Sequence, residues 1–337
     1  MPVDPAMLPR ALEAIKNEYG SSSYRMGHEQ DPVARISTGN IELDYATNGG
    51  IPIGRWTHGY GGYSSCKTLS LAWNTIRRAQ EMGMTVAYYN MEKQYDKDWV
   101  SKRGVDVKNL IVVEGTTIEG TGAKLEALMG SVHLHVLDSM AVAVSIDALN
   151  ADVEDWQMGL QARAWGKVIQ RVNERFDENE NTVVMINQVR DVFGRGGGES
   201  PPGGRSIDFI SSLSLHFRRS SWLFHDDEGV LDDKGSGDAK LNDDKQPDGM
   251  EFVVRVIKSR VGPPLRTARL RLDFTTGEWD NLFTLAKAAE HFNVVETTSK
   301  GRFVLPGGEK IHGKRKLRDA IEADRTLQQK IKQAMFA

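Results

Sequence analysis

The sequence predicts an α/β fold organised around a mainly parallel sheet. Two observations lead there. Short β-like runs, "RWTHGY" (55–60), "TVAYYN" (85–90), "LIVVEG" (110–115), "VHLHVLD" (132–138) and "TVVMIN" (182–187), alternate with helical stretches at 67–82, 121–130 and 157–179. Helices between successive strands are the crossovers that parallel pairing needs, and they cover both faces of the sheet. The second observation is the Gly- and Ser-rich turn "GGYSSCKT" (61–68), set between the first run and the helix that follows it.

In chain order, Leu8, Leu12, Ile15 and Tyr19 recur at three- and four-residue steps, the spacing of one apolar helix face. The polar "GSSSYRMGHEQDP" then separates residues 1–35 from a core expected over 36–280. Late in that core, "SLSLHFRR", "EFVVRVIKSR" and "ARLRLDF" have no useful helix between them and are expected as antiparallel additions to one edge. Residues 190–206, "RDVFGRGGGESPPGGRS", are too rich in Gly and Pro for an element interior and are expected as a mobile loop. Residues 225–249 are acidic and poor in apolar side chains, as in a disordered segment or a hairpin tip. After 280, two helical stretches flank the turn-rich "GRFVLPGGEKIHG", which defines a small C-terminal α/β domain, 281–337.

Composition narrows the function classes. The chain has 337 residues, 39% hydrophobic and 26% charged, as a soluble globular protein would. No apolar run reaches the roughly 18 residues of a membrane span. One cysteine cannot form an internal disulfide or a zinc site alone, and a reducing, cytoplasmic compartment is expected. With a net charge of −3, any contact with nucleic acid must come from local basic patches.

From Gly61 the turn reads as the phosphate loop G-x-x-x-x-G-K-[ST], with Cys66 in the place of the second glycine. Such a loop needs a strand before it, a helix after it and an acid ending another apolar strand, and all three are present. In this reading loop amides bind phosphate oxygens, Lys67 neutralises the outer phosphates, and Thr68 ligates Mg²⁺ with Asp138 as its acidic partner. Glu92, closing "AYYNME", would orient or deprotonate an attacking water. A positive φ at Cys66 would cost about 1–2 kcal/mol; with a negative φ the thiol would crowd the phosphates. Lys67 and the helix N-terminus could favour the thiolate, or the thiol could be merely a tolerated small side chain.

An ordered set of segments now carries a resemblance. "ISTGNIELDYATNGGIPIGR" (36–55), the loop, "YYNMEKQYD" (88–96), "RGVDVKNL" (103–110), "LDSMAV" (137–142), "MGLQARA" (158–164), "INQVR" (186–190) and "GGRSIDF" (203–209) together resemble the bacterial RecA recombination ATPases. The resemblance implies a RecA-type P-loop core, ATP and Mg²⁺ as ligands, single- and double-stranded DNA as partners, and self-assembly into helical filaments. It assigns Gly61, Ser64, Ser65, Cys66, Lys67, Thr68 and Leu69 to the phosphate loop, Asp138 and Ser139 to the second acidic motif, and Asp96 and Trp99 to the adenine. Glu92 becomes the catalytic carboxylate and Gln188 the γ-phosphate sensor. Lys258 and Arg260 become cations offered to the neighbouring subunit's ATP. Of two implied DNA segments, the first holds Trp156, which stacks on bases or packs in the core, with Arg163 beyond it. The second holds Arg190, Phe193, Arg195, Gly203, Gly204 and Arg205. Cys66, Asn90 and Asp208 depart from the family pattern, and 225–249 is an added acidic arm. A DNA-coating protein with a weakened site and a ring-shaped motor remain rival readings.

Overall fold

The computed structural model describes residues 7–20, 23–24, 26–29, 31–115, 117–151, 159–176, 181–191, 199–226, 230–232, 246–299 and 301–337. The chain divides into two units, residues 1–34 and 35–337. In the first, helix α1 (Met7–Tyr19) presents Leu8, Ile15 and Tyr19 to solvent.

In the second unit, the principal strands are β1 (Trp56–Gly61), β2 (Val86–Asn90), β3 (Leu110–Glu114), β4 (Leu134–Asp138), β5 (Thr182–Gln188), β6 (Leu213–His225), β7 (Gly249–Ser259) and β8 (Thr267–Asp273). They lie in the order β8-β7-β6-β1-β5-β4-β2-β3, and a two-residue strand, Leu231–Asp232, pairs with β6 outside this path. From β6 through β3 every pairing is parallel. Strands β7 and β8 are added antiparallel, as is the two-residue strand Leu231–Asp232 on β6. The "SLSLHFRR" run therefore departs from the expectation of a wholly antiparallel edge: β6 runs parallel to β1, from Leu213 beside Thr57 to Phe217 beside Gly61. The connection that makes this possible carries a short helix, Arg205–Ile210, which a search for long helices does not find.

The helices are α2 (Ile41–Ala46), α3 (Thr75–Glu81), α4 (Lys97–Lys102), α5 (Ile118–Leu128), α6 (Ile146–Asn150), α7 (Leu160–Asn173), α8 (Arg205–Ile210), α9 (Asn281–His291), α10 (Lys314–Ala323) and α11 (Arg325–Phe336). Alternation along the strands splits the core in two. Val86, Tyr88, Val136, Val184 and Ile186 pack with Leu71, Ile76 and Ala79 on the α3 side. Ala87, Tyr89, Leu137, Val183 and Met185 pack with Ile118 of α5 and with Trp165, Val168, Ile169 and Val172 of α7. The helix expected at 67–82 opens as a wider π-helical stretch, Thr68–Asn74, before α3.

A third core gathers Leu285, Ala289, Phe303, Leu317, Ile321, Leu327 and Ile331, with Ile41 and Tyr45 of α2 against it. The last helical stretch is two helices, because Asp324 has extended backbone and its carboxylate caps α11 through the N–H groups of Thr326 and Leu327. Within the acidic segment, Leu231–Asp232 pairs with Phe224–His225, so the described part forms a short antiparallel ladder on β6.

Candidate functional site

The phosphate loop leaves β1 at Gly61. A Cβ there would lie 2.1 Å from the carbonyl oxygen of Phe217 on β6, so only glycine lets the two strands run side by side at this point. Ser64 and Cys66 have φ of 50° and 59°, the left-handed region. Cys66 therefore takes the strained branch of the expectation, and its thiol packs against the α3-side core. Burial pushes that thiol up to about 12, outweighing the opposite pull of Lys67 and Arg103, which overturns the thiolate alternative. Lys67 is itself buried, and its ammonium donates to the carbonyls of Gly61 (3.0 Å) and Gly62 (2.7 Å) and to Ser65 Oγ (3.1 Å). A cavity of about 660 Å³ opens beside the loop, lined by Gly62, Tyr63 and Ser65 and, from β6, Phe217, Arg218 and Arg219.

Opposite the loop, β4 ends at the buried Asp138. Its carboxylate accepts from Tyr88 Oη at 3.1 Å and from the Thr68 hydroxyl. Burial, and then the nearby charge of Glu92, push it up to about 6. Lys67 is lowered by burial while Asp138 and Glu92 pull it back up, the signature of one shared electrostatic site. Glu92 Oε1 accepts from Gln188 Nε2 at 2.9 Å and from the Ser139 hydroxyl. The tips of three neighbouring strands, β2, β4 and β5, thus converge on Glu92. Asn90, where the family pattern has an acid, donates to both Glu114 oxygens (3.0 and 3.2 Å) and accepts from the Gln94 N–H (3.0 Å), pinning the turn that carries Glu92. The protein donors facing the loop are a hydroxyl and a carboxylate, hard oxygens that suit Mg²⁺ completed by phosphate oxygens. Leu69 follows within the π-helical stretch.

Asp96 caps α4, accepting the Trp99 N–H at 2.8 Å, and the Trp99 side chain stays 52% exposed. Lys258 and Arg260 lie elsewhere. Lys258 pairs in register with Ser214 of β6, which pairs in turn with His58 of β1, so two strand spacings separate it from the loop strand. Its ammonium donates to the Asp208 carbonyl. Asp208, the acidic departure in α8, has its carboxylate 4.0 Å from the buried His58.

Of the residues expected to meet DNA, Arg163 and Arg205 are exposed on α7 and α8. Arg190 donates to the Ala141 carbonyl at 3.1 Å, where Gln161 also binds at 3.1 Å. Gly203 and Gly204 have φ of 106° and 79° and turn the chain into α8, and a Cβ on Gly204 would approach that of Ala162 to 2.9 Å. Trp156, Phe193 and Arg195 lie outside the described residues. Of the loop expected at 190–206, the described ends pair as a two-residue ladder, Arg190–Asp191 with Glu199–Ser200.

The family model described as the RecA N-terminal domain matches residues 6–278. This chain belongs to the RecA family. It is 30% identical to Protein RecA of Chlorobaculum parvum over 344 residues, covering 98% of this chain and 92% of that protein. Protein RecA of Acholeplasma laidlawii is 32% identical over 277 residues, 80% of this chain and 78% of the other. Protein RecA of Pseudomonas fluorescens is 31% identical over 281 residues, 81% and 74% respectively.

Three site neighbours in this RecA-family chain carry weak sequence signals. Tyr88 holds Asp138, and its signal is a phenol one turn of the pleat before Asn90. Asn187 donates to the Pro202 carbonyl at 2.8 Å and ties β5 to the end of the segment 190–206; it is a polar residue near the end of an apolar strand. Arg103, four residues after Trp99, stacks on that indole with its guanidinium carbon 4.2 Å from the ring centre.

Proposed function

We propose that this chain is a recombinase: a DNA-dependent ATPase that coats single-stranded DNA as a helical filament of its own copies and promotes homologous pairing and strand exchange with duplex DNA. The observation that carries the reading is the hydrogen bond from Gln188 to Glu92. It links a carboxylate beside a phosphate loop to the last residue of β5, two residues before the segment 190–206, so that a change at the nucleotide is felt where DNA would lie. Lys67, Thr68 and Asp138 are the groups that would hold the triphosphate and Mg²⁺, whose positive charge would offset the negative charge of the phosphate oxygens. Ser64, Ser65, Cys66 and Leu69 complete the loop around them. Glu92 acts as the water-orienting base and is held for that task by Ser139 and Gln188.

Lys258 and Arg260 act on the ATP of an adjoining copy. The two-strand separation from their own loop supports this, as does the exposed apolar stripe of α1, a surface for self-assembly. DNA is gripped without sequence readout by Arg163, Arg190, Arg195 and Arg205, by amides at Gly203 and Gly204, and by Trp156 and Phe193 against bases. The acidic arm 225–249 repels duplex DNA until Mg²⁺ screens it.

The test is ATP hydrolysis with and without single-stranded DNA, in the wild type and in Glu92→Gln. DNA should stimulate the wild type, and the variant should lose about 10²–10⁴ in rate while still binding ATP. Hydrolysis indifferent to both DNA and the substitution would leave the DNA-coating reading standing instead.

A further inference from the structure

Arg103 follows α4 directly, and its side chain meets three features at once. Its guanidinium carbon lies 4.2 Å from the centre of the Trp99 ring. Its Nη1 donates to the carbonyl of Gly277, in the turn after β8, at 2.5 Å. Its positive charge also reaches the Cys66 thiol of the phosphate loop. The Nε–H is covered and has no hydrogen-bond acceptor, which leaves the contact with the indole as the interaction of that end of the group. Despite this cover Trp99 remains 52% exposed, so the guanidinium occupies one face and leaves the other open.

An exposed indole on a six-residue helix would normally sample several rotamers, and a ligand stacking on it would have to bear the loss of that freedom. Here the cation on one face, itself anchored to a distant turn, holds the ring in one plane. We propose that Arg103 is a positioning residue for the nucleobase, backing Trp99 so that the open indole face is a pre-set platform for a purine ring. This rests on the reading of Asp96 and Trp99 as the base-contacting pair. The competing account makes Arg103 only a staple between α4 and the turn at Gly277. A staple would alter stability and weaken all ligands alike, whereas a platform support acts only on ligands that carry a base.

The experiment compares Mg²⁺-dependent binding of ATP and of inorganic tripolyphosphate by calorimetry, using full-length wild type, Arg103→Leu, Trp99→Ala and the double variant. Arg103→Leu should weaken ATP by about 3- to 30-fold, the range of one cation–π contact, and tripolyphosphate by less than about twofold. In the Trp99→Ala background the same change should add less than about twofold, because the group it acts through is gone. KM for ATP should rise while kcat holds. Arg103→Lys keeps the charge without the planar stack; its loss should fall between wild type and Leu, and it serves if the Leu variant does not fold. Unchanged ATP affinity, equal loss for tripolyphosphate, or an undiminished effect without Trp99 would each overturn the assignment. Wild type that binds tripolyphosphate and not ATP would remove the base slot itself, and the role of Arg103 with it. Wild type that binds neither would remove the nucleotide site as a whole.

Discussion

Gly61 and Gly62 look alike in the sequence and differ in what surrounds them. A Cβ on Gly61 meets backbone that cannot move aside, the Phe217 carbonyl at 2.1 Å, whereas nothing lies within 4 Å of one on Gly62. Gly61→Ala should therefore separate β1 from β6 and abolish nucleotide binding. Gly62→Ala should keep binding within about threefold and stability within about 0.5 kcal/mol, as surface substitutions usually do. Calorimetry with ATP checks both. Cys66 shows the same dependence on surroundings. Its neighbours in sequence, a lysine and a helix start, favour a thiolate, but the left-handed backbone turns the thiol inward, where burial raises it to about 12. Alkylation by iodoacetamide at pH 8 should run well below the rate of a cysteine in an unfolded peptide. A rate at or above the peptide's would contradict this placement.

At the scale of elements, the C-terminal helices are tied to the rest by a buried ion pair. Arg318 of α10 binds both oxygens of Asp280, the cap of α9, at 2.9 and 2.8 Å, with the Asp280 side chain only 6% exposed. Next to it, Asn281 accepts the Ile41 N–H (2.9 Å) and donates to the Gly39 carbonyl (3.0 Å), so α9 is stitched to the start of α2. Arg318→Ala leaves a buried carboxylate without its partner and should destabilise by about 3 kcal/mol. Urea unfolding of the variant measures it; a loss under about 1 kcal/mol would mean that the carboxylate finds water. Proteolysis of the same variant would report whether 281–337 then releases as a unit, which bears on our division of the chain.

For the whole molecule the pH dependence of stability combines buried histidines and buried carboxyls of opposing sign. Burial holds His58 near 3 and His135 near 4, so both stay neutral in the fold while an unfolded histidine protonates near 6.5. Their contribution is complete above pH 6.5 and is lost as pH falls toward those lower values. Asp138, raised to about 6, acts the other way: its protonation favours the fold as pH falls from 6 toward 3.8. At pH 5 the two histidines together have lost roughly 4 kcal/mol and Asp138 has returned roughly 1.4; Glu42 and Asp44, also raised by burial, act in the same direction as Asp138. The histidine contribution is isolated by His58→Asn: between pH 7 and pH 5 the wild type should lose about 2 kcal/mol more stability in urea unfolding than this variant does. Equal pH dependence in the wild type and the variant would show that this ring is wetter than its packing implies.

Local rules made the parallel core, the phosphate loop and the triad of Lys67, Thr68 and Asp138 legible in the chain. Alternation of apolar runs with helices, and a lysine at a fixed distance from a glycine, involve neighbours in sequence. What only the tertiary structure decided involves residues that meet across it. The parallel seat of β6 beside β1, the inward thiol of Cys66, the bond from Gln188 to Glu92 across 96 residues, and the Arg103 guanidinium reaching the turn at Gly277, 174 residues on, all follow from packing. Periodicity reports which face of an element is apolar; it carries no record of which distant backbone or charge that face will meet.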